Sequence, residues 1–139
     1  MKTVIDSFRG KYYFLSNYYE APVLYDGILY KSNEAAFQAA KVMDKKLKLV
    51  FAKLPPNEAK KFGRKVTLRP DWEKIKYQVM EDIVRAKFTQ NQNLAELLKN
   101  TGSCELVEGN TWGDKIWGMV NGEGQNELGK ILMKIREEI

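Results

Sequence analysis

The chain has 139 residues, 44% of them hydrophobic, with a formal charge of +5, no histidine and one cysteine, Cys104. That length suits one domain spanning 1–139 around a single core; the missing histidines exclude an imidazole base or metal ligand, and the lone cysteine excludes an internal disulfide or a multi-cysteine cluster. The mild positive charge favours anionic partners, its lysines being spread out, and the lack of a signal-like or ~20-residue apolar run points to a cytoplasmic protein with no membrane span.

Residues 4–15, with Tyr12, Tyr13, Phe14 and Leu15, predict one or two short strands that end at the turn formers Ser16 and Asn17. Val23-Leu24-Tyr25 and Ile28-Leu29-Tyr30 flank Asp26-Gly27, the signature of a hairpin with a type I′ turn. A helix starts at Ser32, a good N-cap, with Glu34 in its first turn and four alanines before Lys41. Seven residues are about two turns, so Glu34 and Lys41 share a face with Phe37 and Gln38 between them. An acid, an amine, an amide and a ring on one stripe is an unusual set for a purely structural helix. The plainer alternative is a first-turn acid and a solvated last-turn cation.

Leu47, Val50, Phe51 and Leu54 predict a second helix over 44–53, closed by Pro55-Pro56, and a short third helix covers 57–62 before Gly63. An extended link, 64–69, leads to the longest helix, started by Pro70-Asp71, in which Trp72, Ile75, Val79, Ile83 and Ala86 recur every three or four residues. A short helix over 93–99, a strand at 104–107 and a loop over 108–126 follow, and a last helix runs from about 125 to 138. The result is an α+β domain, mostly helical, with a small N-terminal antiparallel sheet that the strand near 106 is expected to join.

The loop 108–126 interleaves Glu108, Asn110, Asp114 and Asn126 with Trp112, Trp117 and glycines that include Gly118, a composition suited to holding a planar ligand. Its alternative is a core tryptophan with turn glycines. Arg64 and Arg69, near Gly63 and Trp72, could fork onto phosphate oxygens or serve as surface charges.

The segments Phe14-Leu15-Ser16-Asn17, Glu34-x-x-Phe37-Gln38-Ala39-x-Lys41, Gly63-Arg64, Arg69-x-x-Trp72, Ala86-Lys87-Phe88, Asp114-x-x-Trp117-Gly118 and Gly124-x-Asn126-x-x-Gly129, in order along nearly the whole chain, resemble the NADAR family. The best-known bacterial members of that family resemble riboflavin-intermediate N-glycosidases. The resemblance implies an enzyme that hydrolyses the C1–N bond of a phosphorylated ribose. The base is either guanine of nucleic acid carrying ADP-ribose or the pyrimidine of a ribosylamino intermediate of riboflavin synthesis. It points to Lys41 as a nucleophile that forms a Schiff base, Glu34 as the proton carrier and Asp114 as a group positioning ribose hydroxyls or water. Phe14, Ser16, Asn17, Phe37, Gln38, Gly63, Arg64, Arg69, Trp72, Asn110, Trp117, Gly118 and Asn126 form the expected ligand-binding set, with no metal or cofactor and a monomer or weak oligomer as the working unit. Family members often have histidine after the motif glutamate, where this chain has Ala35. A domain that binds ADP-ribose or a nucleotide without turnover is the alternative, and sequence-independent nucleic-acid binding through net charge is a third.

Overall fold

The computed structural model describes residues 3–139, which divide into two compact units: residues 17–91, and residues up to 16 together with 92–139. The architecture is α+β and mostly helical, with two small two-stranded sheets.

In the 17–91 unit, strands β1 (Glu20–Tyr25) and β2 (Ile28–Ser32) form the expected antiparallel hairpin. Asp26 and Gly27 both take positive φ, 52° and 80°, as a type I′ turn requires. Strand alternation sends Val23 and Tyr30 inward, where they are buried, while the cross-strand pair Leu24 and Leu29 points outward and is exposed. Along the outer side of β1, the Gln90 amide accepts from Leu24 N–H at 2.8 Å and donates to Leu24 C=O at 2.9 Å, and Asn91 donates to Pro22 C=O.

Helix α1 (Asn33–Ala39) follows β2 without a loop, because Ser32 both ends the strand and caps the helix, its Oγ accepting from Ala35 N–H at 3.1 Å. Ala35, Ala36, Ala39 and Ala40 are all buried, and their small side chains let α1 pack against α2 (Lys45–Phe51), α3 (Pro56–Gly63), α4 (Trp72–Gln90) and the hairpin. Helix α1 thus lies at the centre of its unit. Its regular turns end at Ala39, two residues short of Lys41, and the chain tightens there: Lys41 N–H bonds to Gln38 C=O and Val42 N–H to Ala39 C=O. The buried face of α4 runs through Trp72, Val79, Met80, Ile83, Val84, Lys87 and Phe88; Ile75 and Ala86, expected on the inner stripe, sit at its margin.

In the other unit, β3 (Val4–Ile5) pairs in parallel with β4 (Glu105–Leu106). The strand near 106 therefore does not join the hairpin sheet, contrary to the sequence expectation. Only Val4–Ile5 of the 4–15 stretch is strand. Gly10, at φ 59°, turns the chain, and Gly10–Leu15 winds into a 3-10 helix that buries Phe14 and Leu15. Helix α5 (Gln92–Lys99) and helix α6 (Glu127–Glu138) complete this unit, with Leu94, Leu98, Leu106, Leu128, Leu132 and Ile135 among its buried apolar residues. Arg136 ties α6 to the turn before β4 through Thr101 Oγ1 and Cys104 C=O. No helix among the described residues is long and apolar enough to cross a membrane.

Candidate functional site

Helix α1 carries Glu34 in its first turn, and Lys41 follows just beyond its end. The Lys41 amine is held below the ordinary lysine value by burial; the Glu34 carboxylate opposes this, and the Arg64 and Lys60 cations reinforce it. An amine in that setting gives up its proton more readily than a solvated lysine, which is what nucleophilic chemistry at neutral pH requires. Helix propensity brings Glu34 to the first turn, and the tightened exit from α1 places Lys41 just beyond the last regular turn. The Lys41 carbonyl accepts from Arg69 N–H at 2.8 Å, so the 64–69 link is anchored to the same residue.

Glu34 is bound on both sides. Its backbone N–H, which the helix leaves without an intrahelical acceptor, donates to Asn17 C=O at 3.0 Å, and its Oε2 accepts from Gln38 Nε2 at 2.6 Å. Asn17 Oδ1 accepts from Asn33 Nδ2 at 3.4 Å, and Asn17 Nδ2 approaches Met80 Sδ at 3.5 Å, so this residue holds the first turn of α1. Gln38 is buried and its Oε1 has no hydrogen-bond partner. That oxygen lies against Gly63, where a Cβ would overlap it. Ala35, where family members often carry histidine, is fully buried and its N–H is committed to the Ser32 cap.

The aromatic and arginine candidates divide. Trp72 and Phe37 are buried against each other, ring centroids 5.1 Å apart at 56°, so they build the core beneath α1 and leave little ring face for a ligand. Arg69 forks onto Asp71, Nε to Oδ1 at 2.6 Å and Nη2 to Oδ2 at 3.2 Å, which also holds the Asp71 carboxyl below its usual range. Arg64 is exposed and makes no ion pair among the described residues. Lys60, which the sequence reading passed over, bears on the Lys41 amine and lies over the Tyr18 ring at 5.8 Å; its place one turn before Arg64 on a short helix was the available signal.

The loop 108–126 is knitted by its own polar side chains. Asn110 Nδ2 donates to Asp114 C=O at 2.8 Å and to Glu108 Oε2 at 3.2 Å, while its Oδ1 accepts from Asp114 N–H at 3.0 Å. Asp114 Oδ1 accepts from Ile116 and Trp117 N–H. Asn126, in the left-handed region at φ 52°, ψ 43°, accepts from Glu108 N–H and donates to Leu106 C=O, joining the start of α6 to the end of β4. Gly118 is buried against the Glu108 side chain with no room for a Cβ. Trp117 is half-buried, and Trp112 is the more exposed ring of the pair. Phe14 is buried, and Ser16 closes the 3-10 turn by donating its N–H to Tyr13 C=O. Among the described residues no group of three or more His, Cys, Asp or Glu could hold a metal ion.

The chain is similar to proteins of a known family. Residues 6–139 match the model of the NADAR domain. An N-glycosidase of Shigella flexneri, YbiA, is 39% identical over 128 residues, covering 89% of this chain and 79% of that protein. A Vibrio vulnificus protein named riboflavin biosynthesis protein VVA0006 is 39% identical over 130 residues, which is 91% of this chain and 35% of that longer protein. The solution structure of Escherichia coli YbiA superposes with a TM-score of 0.85 at 36% identity, covering 99% of this chain and 86% of that one.

Proposed function

We propose, from the premise that the chain belongs to the NADAR family and is an N-glycosidase, a hydrolase acting on N-glycosyl compounds, that it cleaves phosphorylated ribosides through Lys41. The observation that carries this reading is the partly buried Lys41 amine, which burial holds below the ordinary lysine value, with the Glu34 charge opposing that shift and the Arg64 and Lys60 charges reinforcing it. In the proposed reaction the neutral amine adds to C1 of the ribose as the C1–N bond breaks, and a proton relayed by Glu34 goes to the departing nitrogen. The sugar ring opens to an imine on Lys41, its ring oxygen leaving as a hydroxyl. Water then adds to the imine carbon and releases the free sugar, restoring the amine. Arg64 and Lys60 hold the phosphate, and their charge keeps the lysine deprotonated before attack. Arg69 is committed to Asp71 and serves to anchor the link at Lys41.

The substrate is either ADP-ribose on guanine of nucleic acid or a ribosylamino-pyrimidine phosphate; the name of the Vibrio relative, a riboflavin biosynthesis protein, supports the second. The test is mass-spectrometric product analysis with both substrates, wild type beside Lys41→Ala. The wild type is expected to release the base from one of them, and Lys41→Ala to lose on the order of 10³-fold or more in kcat. Borohydride added during turnover should leave a sugar adduct on Lys41. Turnover without an adduct would remove the imine route. Binding without turnover by both proteins would leave a non-catalytic nucleotide-binding module.

A further inference from the structure

Gln38 raises a question that packing alone does not answer. Its amide is buried, and its Oε1 makes no hydrogen bond. An apolar side chain of similar length would fill the space without stranding an acceptor. The other half of the amide explains the choice, because Nε2 makes a 2.6 Å bond to the Glu34 carboxylate one turn earlier, in the range of charge-assisted hydrogen bonds.

Gly63 completes the arrangement from another element. It ends α3 and is absent from the positive-φ residues, so its backbone conformation does not require glycine, and alanine would suit the helix better. What requires glycine is the space: a Cβ there would overlap Gln38 Oε1 and crowd the carbon that bears it. The position on α3 is kept empty where the amide must lie to reach Glu34.

We infer that Gln38 and Gly63 are a positioning pair that fixes the Glu34 carboxylate, and that neither contacts substrate. This deepens the Lys41–Glu34 reading of the site and rests on it for its catalytic consequence. The Gln38 donor selects one Glu34 rotamer and favours the ionised carboxylate; Gly63 acts only by admitting the amide. The charges that act on Lys41 together with Glu34, those of Lys60 on α3 and of Arg64 just past its end, are untouched by changes at either position.

The test reads Glu34 directly, without substrate. In the full chain labelled with ¹³C at glutamate carboxyls, Glu34→Gln identifies the Glu34 signal, and its titration midpoint is compared in wild type, Gln38→Met, Gly63→Ala and the double variant. Each single change is expected to raise the midpoint by about one pH unit, the scale of one hydrogen bond to a charged group. The double variant should shift no further than Gln38→Met, because Gly63 works through the amide. With the substrate that the wild type turns over, kcat should fall about tenfold at unchanged KM, and the acid limb of the pH–rate profile should move with the midpoint. Gln38→Met should also stay folded, since removing the stranded acceptor offsets the loss of the bond to Glu34. An unmoved midpoint, additive shifts, or a Gln38→Met chain that does not fold would each overturn the inference. Shifted midpoints in a wild type inert toward both substrates would instead sink the glycosidase route and leave the pair standing.

Discussion

Lys87 shows how one residue sets a pH dependence. It is fully buried in the 17–91 unit, its Nζ 5.4 Å from the Tyr19 ring centroid and 5.2 Å from that of Phe88, and burial pushes its pKa down to about 7. A solvated lysine titrates near ~10.4. Between these values the unfolded chain binds more protons at this site than the folded one, so stability rises with pH across about 7 to 10. Below about 7 both states are protonated there, and the burial penalty is complete, at most about 5 kcal/mol. Urea unfolding should therefore give a larger free energy at pH ~9 than at pH ~7, and Lys87→Met should flatten that slope. The window closes from above because burial raises Tyr25 and pushes Tyr30 up to about 12. Unfolded tyrosines ionise first, near ~10, and stability then falls with further alkali.

At the scale of elements, α1 depends on its boundary. Ser32 is fully buried and its Oγ satisfies the Ala35 N–H, so Ser32→Ala strands a donor in the interior. The expected loss is about 1–2 kcal/mol in chemical denaturation, with Thr at this position recovering most of it. This boundary was legible from Ser32 and Glu34 alone, as the hairpin was from Asp26-Gly27, because both signals are local. Gly10–Leu15 was not: Tyr12, Tyr13 and Phe14 have strand-like composition, yet the positive φ of Gly10 sends them into a 3-10 turn. Pairing of Val4–Ile5 with Glu105–Leu106 joins segments about a hundred residues apart, and two-residue strands carry no pattern that names a partner. In the candidate site, the place of Glu34 in the first turn of α1 follows from local helix signals, whereas Lys41 lies beyond the last regular turn, where helical spacing no longer sets its direction. The i, i+4 bond from Gln38 to Glu34 could have been read from helical spacing. The approach of Gly63 to Gln38, the capture of Arg69 by Asp71 and the burial of Trp72 are tertiary facts with no local signature.

Over the whole molecule, charge is far less evenly spread than the net +5 implies. Residues 41–69 hold ten of the 23 basic and two of the 18 acidic side chains, so that stretch carries +8 and the remainder of the chain −3. These residues include α2, α3 and the link anchored at Lys41. Affinity for a single-stranded oligonucleotide should accordingly fall on the order of tenfold as salt rises from about 50 to 200 mM. Fluorescence anisotropy would measure this, and a flat salt response would show that the basic stretch does not engage a polyanion. The same molecule must also stay dispersed while presenting Leu24 and Leu29 on the outside of a two-stranded hairpin. Here the Gln90 side chain acts as a one-residue surrogate strand. Its amide matches a peptide unit, meeting the N–H and C=O of Leu24 as a neighbouring backbone would. A second hairpin arriving at that edge finds its central docking point already taken, so Gln90 blocks edge-to-edge pairing there without adding a strand to the fold.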